Sequence, residues 1–239
     1  MVNMFTDNVK PRGRGRPPGR TPQGEAASRR LFDAAIQLIE ARGYEDTTLR
    51  DVADRAGVSV GLLYRYFPSK RAIVLALYDR LSAEFADRAT PLPPGKWRDR
   101  FLQALTTSLR VLAPHRNVLS ALTAVMVARG DEGVFAKTTA FSRRRVQAVF
   151  VDAVSGATDP PASTLVEPLA RLLYLAHLGV ILWWLLDRSP GQRATKALLS
   201  VIAQVLPSAA MTLRLPPIRR FVQSADVLVR EALFDHPGA

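Results

Sequence analysis

The chain has 239 residues, enough for one small domain and one larger one, and 48% of them are apolar, which is sufficient for a sizeable core. It contains no cysteine, which excludes disulfides, thiolate metal sites and thiol nucleophiles and fits a cytoplasmic location. The net charge of +12 favours a polyanionic partner, most commonly nucleic acid. Residues 1–70 carry +4 and residues 71–239 carry +8, so charge alone does not locate a binding face.

Residues 1–24 are rich in Pro, Gly and Arg, and this composition predicts a disordered arm with no secretory signal. The segment KPRGRGRPPGR at 10–20 carries five positive charges and no acid. Its centre, from Arg14 to Pro17, resembles the core of an AT-hook, in which an extended Arg-Gly-Arg segment enters a narrow A·T minor groove. The resemblance implies DNA contacts from Arg14 and Arg16; the alternative is a solvated tail with only nonspecific attraction.

Apolar residues recur at helical spacing from Ser28 and predict an amphipathic helix that ends at Gly43. Thr48 is a good N-cap for a short second helix, and Asp51 follows it at the capping-box spacing. A third helix is predicted from Val60 to Phe67, and a fourth after Pro68 and Ser69. The pattern up to this point indicates three short or medium helices followed by a longer one.

Gly57 tolerates the positive φ of a turn, and Ser59 can cap a third helix from Val60 to Phe67. Two short helices around a glycine turn, after a longer supporting helix, are typical of a helix-turn-helix. The second helix of the pair must enter a major groove about 12 Å wide, so apolar residues must brace it from behind. The bracing candidates are Val52, Ala53, Val58, Leu63 and Phe67. The candidates for its exposed face are Val60, Gly61, Leu62, Tyr64, Arg65 and Tyr66.

Two consecutive segments, RGYEDTT at 42–48 and DVADRAGVSVGLLYRYFPSK at 51–70, resemble the DNA-binding signature of the TetR family of bacterial repressors. The similarity covers about residues 28–75 and specifies many positions. It implies an all-α homodimer with a three-helix DNA-binding domain, a helical ligand-binding body, and release of the operator when a small molecule binds.

The resemblance also implies roles for individual residues. Thr48 and Ser59 lie at helix N-termini and are expected to contact DNA, Thr48 by binding phosphate through its hydroxyl and backbone N–H. Tyr64, Tyr66 and Lys70 are expected to reach phosphates. The candidates for base edges are Arg50, Val60, Gly61 and Arg65, where Gly61 permits close approach and an arginine can bind guanine.

After Pro91 to Gly95 the chain reads as long helices separated by Pro and Gly, at about 96–113, 115–129, 132–155, 163–187, 192–213 and 217–234. The predicted fold is therefore all-α. The predicted divisions are an arm at 1–24, a helix-turn-helix domain at 25–72, a connecting helix at 73–92, and a ligand-binding and dimerisation domain at 93–239.

Residues 163–206 are the most apolar part of the chain, and the pair of helices there resembles the dimerisation element of the family. The interface candidates are Leu175, Gly179, Leu182, Leu186, Leu198 and Ile202. A pocket for an unidentified effector is expected in the body. Its candidates are Trp97, Phe101, Met126, Phe141, Phe150, Tyr174, His177 and Trp183, although ordinary core packing also explains each of them.

Other functions are weaker fits to the sequence. The apolar run from Leu172 to Leu186 is shorter than the roughly 20 residues of a membrane span, so no membrane partner is expected. The three histidines are far apart, and no zinc spacing, P-loop or nucleophile elbow is present, so neither an enzyme, a metal site nor a cofactor is expected. An activator or an architectural DNA-binding protein without an effector remains an alternative.

Overall fold

The computed structural model describes residues 22–128, 130 and 132–234. Within these ranges the chain is helical and has no strand, which confirms the predicted all-α class. Short 3₁₀ turns lie at Ala113–His115 and Pro190–Gln192. The α-helices are α1 (Pro22–Arg42), α2 (Leu49–Ala56), α3 (Val60–Tyr66), α4 (Lys70–Ala89), α5 (Trp97–Leu112), α6 (Arg116–Ala121), α7 (Thr123–Val127), α8 (Ala140–Ser155), α9 (Ser163–Leu186), α10 (Arg193–Thr212) and α11 (Pro216–Leu233).

The first helix begins earlier than the sequence pattern predicts, at Pro22 instead of Ser28, so the last residues of the predicted arm are helical. Proline suits this position because a first-turn N–H has no partner inside the helix. Glu25 lies in the first turn, where a negative charge interacts favourably with the helix dipole. As predicted, α1 ends at Gly43, whose φ is +90°. The rest of the predicted arm, residues 1–21, lies outside the described residues.

The predicted boundary between a DNA-binding domain and a connecting helix, at 72/73, falls inside one continuous helix, α4. This helix begins at Ser69, whose hydroxyl accepts a hydrogen bond from the N–H of Ala72 at 3.2 Å. Its residues Ile73, Val74 and Leu77 are almost fully buried. A single rigid element therefore belongs to both parts of the molecule.

The prediction of one helix over 115–129 is wrong, because the chain leaves the helical conformation at Leu122 (φ −94°, ψ 1°) between α6 and α7. The hydroxyl of Thr123 donates to the carbonyl of Leu119 at 3.2 Å, a back-bond that bends helices. Thr123, Val125 and Val127 are β-branched residues with restricted side-chain rotamers in a helix.

The predicted helix at 132–155 is also wrong in its first part, since α8 begins only at Ala140. Residues 132–139, which we call the covering loop, fold back on α7, and the N–H of Val134 donates to the carbonyl of Met126 at 3.0 Å. A Cβ on Gly133 would lie 2.2 Å from the carbonyl oxygen of Ala128, so this approach requires glycine. The hydroxyl of Thr139 donates to the carbonyl of Gly133 at 2.9 Å and stabilises the turn in place of helix.

Phe150 of α8 lies at the centre of the body, where it is fully buried. Its ring centroid is 6.2 Å from that of Phe85, 5.9 Å from Phe101, 6.3 Å from Tyr174 and 4.9 Å from His177. These rings come from α4, α5 and α9, so the packing of aromatic side chains around one phenyl ring joins four helices.

Arg100 of α5 is 5% exposed, and its guanidinium binds only groups of the protein. Nη1 donates to the carbonyls of Leu92 and Pro93 at 3.1 and 2.8 Å. Nη2 donates to the carbonyl and the carboxylate of Asp152, both at 2.9 Å, and Nε donates to the carbonyl of Ala153 at 3.2 Å. The arginine therefore fastens the connection between α4 and α5 to the last turns of α8.

We expect Arg100→Leu to lower the free energy of unfolding by about 3 kcal/mol, because it leaves buried carbonyls and a carboxylate without their donor. Urea unfolding followed by circular dichroism measures this change. Arg110→Leu, at an exposed position of the same helix, serves as the control and should change stability by less than about 0.5 kcal/mol. Equal effects of the two substitutions would contradict the role of Arg100.

Candidate DNA-binding face and ligand cavity

The start of α2 is fixed by a complete capping box between Thr48 and Asp51. The Thr48 hydroxyl accepts from the Asp51 N–H at 3.2 Å, and the Asp51 carboxylate accepts from the Thr48 N–H at 3.1 Å and from its hydroxyl at 2.6 Å. Arg42 approaches the same carboxylate at 2.5 Å. The hydrogen bonds from Thr48, and secondarily the charge of Arg42, hold the pKa of Asp51 below its ordinary value. Both Thr48 donors that the sequence assigns to phosphate are therefore engaged within the protein.

The turn between α2 and α3 has the geometry that the sequence predicts. Gly57 adopts φ 65° and ψ 40°, the left-handed conformation that glycine tolerates best. The hydroxyl of Ser59 accepts from the N–H of Leu62 at 3.2 Å, so Ser59 is the N-cap of α3. Ser59 is thus engaged in defining the start of α3.

The orientation of α3 is set by the side chains beneath it. Val52 and Leu63 are fully buried and Phe67 nearly so, as predicted for the bracing residues. Gly61, Tyr64 and Arg65 are exposed. Because these three are spaced i, i+3 and i+4, they share one outward face of the helix. Arg50 is exposed on α2, whereas the other face candidates, Val60, Leu62 and Tyr66, are half-buried.

Lys70 has partners within the protein that the sequence does not indicate. Its ammonium donates to the carbonyls of Tyr44 and Glu45 at 2.8 and 3.1 Å, and it lies 4.5 Å from the centroid of the Tyr44 ring. This lysine therefore holds the first turn of α4 against the loop that precedes the helix-turn-helix. Arg14 and Arg16, the candidates in the arm, lie outside the described residues.

A cavity of about 120 Å³ lies between α4, α5, α8 and α9 and beneath the covering loop. Among the described residues no acidic side chain lines it, and most of its walls are apolar. Of the residues predicted for a pocket, Met126, Tyr174 and His177 line this cavity. Trp97, Phe101 and Phe150 are buried in the surrounding core, whereas Phe141 and Trp183 are exposed at the surface, 61% and 49%, and do not line this cavity.

Several polar residues of the cavity wall were not predicted from the sequence, because the predicted pocket residues are mainly aromatic. Tyr78 and Ser82 come from α4, Ser108 from α5 and Arg143 from α8. The one local signal is at Tyr78, which stands at i, i+3 and i+7 spacing with Leu81 and Phe85 on an apolar face. A polar group on such a face is unusual and needs a partner.

His177 is buried in the cavity wall, and its Nε2 lies 2.7 Å from the hydroxyl of Ser108. Its other ring nitrogen, Nδ1, and the hydroxyl of Tyr78 are the buried side-chain atoms without a hydrogen-bond partner in the described part of the chain. Burial lowers the pKa of His177 from 6.5 to about 3, so the imidazole is neutral at physiological pH. Burial also raises the pKa of Tyr78, with a smaller contribution from the charge of Glu132.

The covering loop connects this cavity with the loop that precedes the helix-turn-helix. Val134 and Thr139 of the loop line the cavity. Glu132, at the start of the loop, hydrogen-bonds to the hydroxyl of Tyr44, whose pKa is raised to about 12, by burial first and by Glu132 second. Tyr44 is the residue whose carbonyl and ring contact Lys70.

A second surface is formed by α9 and α10. By length and composition alone, two helical stretches are long and apolar enough to span a membrane: Ser163–Leu186 and Pro190–Thr212. Half of the first stretch is buried inside the protein, compared with 6% of the second. Of the predicted interface residues, Gly179, Leu182 and Leu186 are exposed, and Leu175, Leu198 and Ile202 are half-buried. Trp183, Val201 and Val205 are exposed as well; we call this surface the α9–α10 face.

The neutral state of His177 predicts a pH-dependent stability. His177 takes up a proton near pH 6.5 in the unfolded chain but only near pH 3 in the folded chain. Its contribution to the free energy of unfolding therefore has its full value above about pH 6.5 and is lost as the pH falls below that value. Between about pH 7 and pH 5 we expect a loss of about 2 kcal/mol from this residue. Urea unfolding of the wild type and of His177→Gln at both pH values isolates it. An equal loss in the variant would exclude His177 as the cause.

Residues 31–77 match the family model described as bacterial regulatory proteins, tetR family. The HTH-type transcriptional repressor KstR of Rhodococcus jostii (strain RHA1) is 46% identical over 70 residues, which cover 28% of this chain and 32% of that protein. The similar segment thus spans about a third of the length of this curated relative. It contains α2, α3 and most of α1.

The likeness to solved structures extends over most of the chain. A tetR-family transcriptional regulator from Streptomyces coelicolor has a TM-score of 0.58 at 24% identity, covering 87% of this chain and 98% of that chain. The transcriptional regulator FadR from Bacillus subtilis, in complex with stearoyl-CoA, has a TM-score of 0.59 at 18% identity, covering 74% and 96%. At these identities the likeness is one of fold. Residues 31–77, which contain the helix-turn-helix, therefore match the tetR family of bacterial regulatory proteins, and most of the chain shares its fold with these two solved structures.

Proposed function

We propose that this protein is a cytoplasmic transcriptional repressor that binds a palindromic operator as a homodimer and leaves it when a small molecule occupies the body. The observation that carries the proposal is the outward face of α3. Gly61, Tyr64 and Arg65 are exposed together on a helix braced by buried Val52 and Leu63, inside the segment that matches the TetR model.

The dimensions and chemistry of α3 suit a major groove. Its seven residues extend about 10 Å, and an α-helix, which is about 10–12 Å across with its side chains, fits a groove about 12 Å wide. Arg65 can donate two hydrogen bonds to a guanine, and Gly61 allows the helix backbone to approach the base pairs. Tyr64 and Tyr66 can donate to phosphates, which position the helix without reading sequence. Five positive charges between Lys10 and Arg20 favour the same polyanion.

Thr48, Ser59 and Lys70 contribute in a different way from that expected of them as phosphate ligands. The hydroxyls of Thr48 and Ser59 cap α2 and α3, and Lys70 holds the loop at Tyr44. We propose that their main effect on DNA binding is to orient the two helices. Phosphates can then bind at the positive N-terminal end of α2.

The α9–α10 face supports the homodimer. Leu186, Val201 and Val205 are each more than half exposed, which is unusual for a contiguous apolar surface of a monomer. An added Cβ at Gly179 would meet no atom of the protomer within 4 Å, so this side of α9 is open to a close neighbour. Two copies related by a twofold axis would present two α3 helices to half-sites about 34 Å apart.

We propose that α4 couples the cavity to the DNA-binding part. Tyr78, Ser82 and Phe85 of this helix line the cavity, and Lys70 at its first turn holds the loop before α2. Because α4 is continuous, a ligand that favours a different position of its middle turns also displaces its N-terminus. A coupling free energy of about 1–3 kcal/mol or more is needed to change operator occupancy.

Two substitutions on α3 test the DNA-binding proposal. Gly61→Ala should raise the free energy of unfolding by about 0.5–1 kcal/mol, since its Cβ meets no protein atom and alanine favours the helix. It should nevertheless weaken operator binding, because the methyl group occupies space needed by a base pair. Arg65→Ala should weaken binding about fivefold to 150-fold.

Affinity is measured by fluorescence anisotropy on a duplex that the wild-type protein selects from random sequence. Arg110→Ala, exposed in the body, is the matched control and should bind as the wild type does. Undiminished binding by both α3 variants would refute the assignment of this face. Selection of broad A·T-rich DNA instead of one short palindrome would favour the architectural alternative.

The dimer is tested by Val201→Glu combined with Val205→Glu, which places two charges on the α9–α10 face. Sedimentation equilibrium should show a dimer for the wild type and a monomer for the variant, with the helical circular dichroism signal retained. Gln103→Glu, at an exposed site of α5, should remain dimeric. A monomeric wild type that binds lipid vesicles would assign the face to a membrane and contradict the proposal.

A further inference from the structure

The cavity in the body contains two polar atoms that nothing in the described chain satisfies. Tyr78 Oη and His177 Nδ1 are both buried and both belong to residues that line the cavity. An unsatisfied buried polar atom costs about 1–3 kcal/mol, and native structures rarely retain one. Two such atoms on residues that line the same cavity favour a hydrogen-bond partner other than this chain, reached by a small shift of either side chain.

The size and walls of the cavity restrict that molecule. A volume of about 120 Å³ is well below the ~300–1,000 Å³ of a typical drug-sized pocket. A cavity of about 150 Å³ accommodates benzene, so this slightly smaller one limits the ligand to about one six-membered ring. Leu81, Phe85, Leu178 and Ile181 are among the apolar residues that surround it, so most of the ligand surface must be apolar.

The charges around the cavity indicate an uncharged ligand. Nη1 of Arg143 donates to the carbonyls of Val134 and Ala136 at 3.1 and 3.0 Å, so this nitrogen is engaged by the covering loop. The negative charge of Glu132 acts on Tyr78 and disfavours a second anion there. His177 is held neutral by burial, so it attracts neither a cation nor an anion by charge.

We propose that the cavity binds a small, uncharged, largely apolar molecule with a carbonyl or hydroxyl oxygen that hydrogen-bonds to Tyr78 Oη, to His177 Nδ1 or to both. This inference rests on the proposed function and defines the chemical class of the effector. Ser108 positions the imidazole through its 2.7 Å contact with Nε2, so that Nδ1 is presented to the ligand. When the Ser108 hydroxyl donates to Nε2, Nδ1 carries the proton and binds a ligand oxygen as a donor.

The test uses the whole chain without DNA and three probes matched at seven heavy atoms each: cyclohexanone, methylcyclohexane and cyclobutanecarboxylate. Isothermal titration calorimetry and thermal shift measure binding. We expect cyclohexanone to bind more tightly than methylcyclohexane and the carboxylate to bind most weakly. Tyr78→Phe should weaken cyclohexanone binding about fivefold to tenfold and leave methylcyclohexane binding unchanged, because only the ketone uses the hydroxyl.

Two further variants control for indirect effects. Ser108→Ala removes the contact to His177 and should weaken cyclohexanone binding, whereas Ser120→Ala, at an exposed position of α6, should not. Tyr78→Phe should leave the melting temperature of the free protein equal or higher, since it removes a hydroxyl without a partner. This second readout separates a lost hydrogen bond from a damaged fold.

The inference is overturned if no uncharged probe binds, if the carboxylate binds best, or if Tyr78→Phe weakens the ketone and the hydrocarbon equally. The proposed function fails by a different measurement. If cyclohexanone binds as expected and the operator complex is unaffected at saturating ketone, the chemistry of the cavity stands and its control of DNA binding does not.

Discussion

The continuity of α4 is the constraint on which the rest of the structure depends. Its first turn is tied by Lys70 to the loop that carries Tyr44, and its middle turns supply Tyr78 and Phe85 to the cavity wall. The helix has no break between Lys70 and Ala89, so one continuous element joins these two regions. The cavity and the candidate DNA-binding face are therefore connected directly, although they lie in segments that the sequence pattern divides at residue 72.

Local chemistry explains which elements the sequence predicts well. The capping box at Thr48, the left-handed turn at Gly57 and the cap at Ser59 each depend on residues within four positions of one another, so their spacing is visible in the sequence. The errors arise at turns that side chains close in place of helix. The break at Leu122 accompanies the bond from Thr123 to the carbonyl of Leu119, and the late start of α8 follows the turn that Thr139 closes on Gly133.

The same distinction separates the two functional regions. The outward face of α3 could be predicted because its buried apolar residues and its exposed residues lie on opposite sides of one short helix, which the sequence spacing shows. The cavity could not, because its walls converge from four long helices and a loop distant in sequence. The sequence offered mainly aromatic residues as candidates for the pocket, and two of these, Phe141 and Trp183, lie at the surface instead. The polar residues Tyr78 and Ser108 become significant only when the structure brings them to the same void as His177.

The exposed valines of α10 have a consequence for the rate at which the protein is degraded in the cell. In the proposed homodimer the α9–α10 face would be covered, so a chain without a partner would present Val201 and Val205, which are exposed in the protomer, to water. By mass action the folded, covered form becomes more populated as the number of copies rises. Newly made chains at low abundance would then be the preferred targets of proteases and chaperones that recognise apolar segments. Degradation of unassembled chains would thus set a minimum rate of synthesis of this protein, below which too few dimers form to regulate transcription.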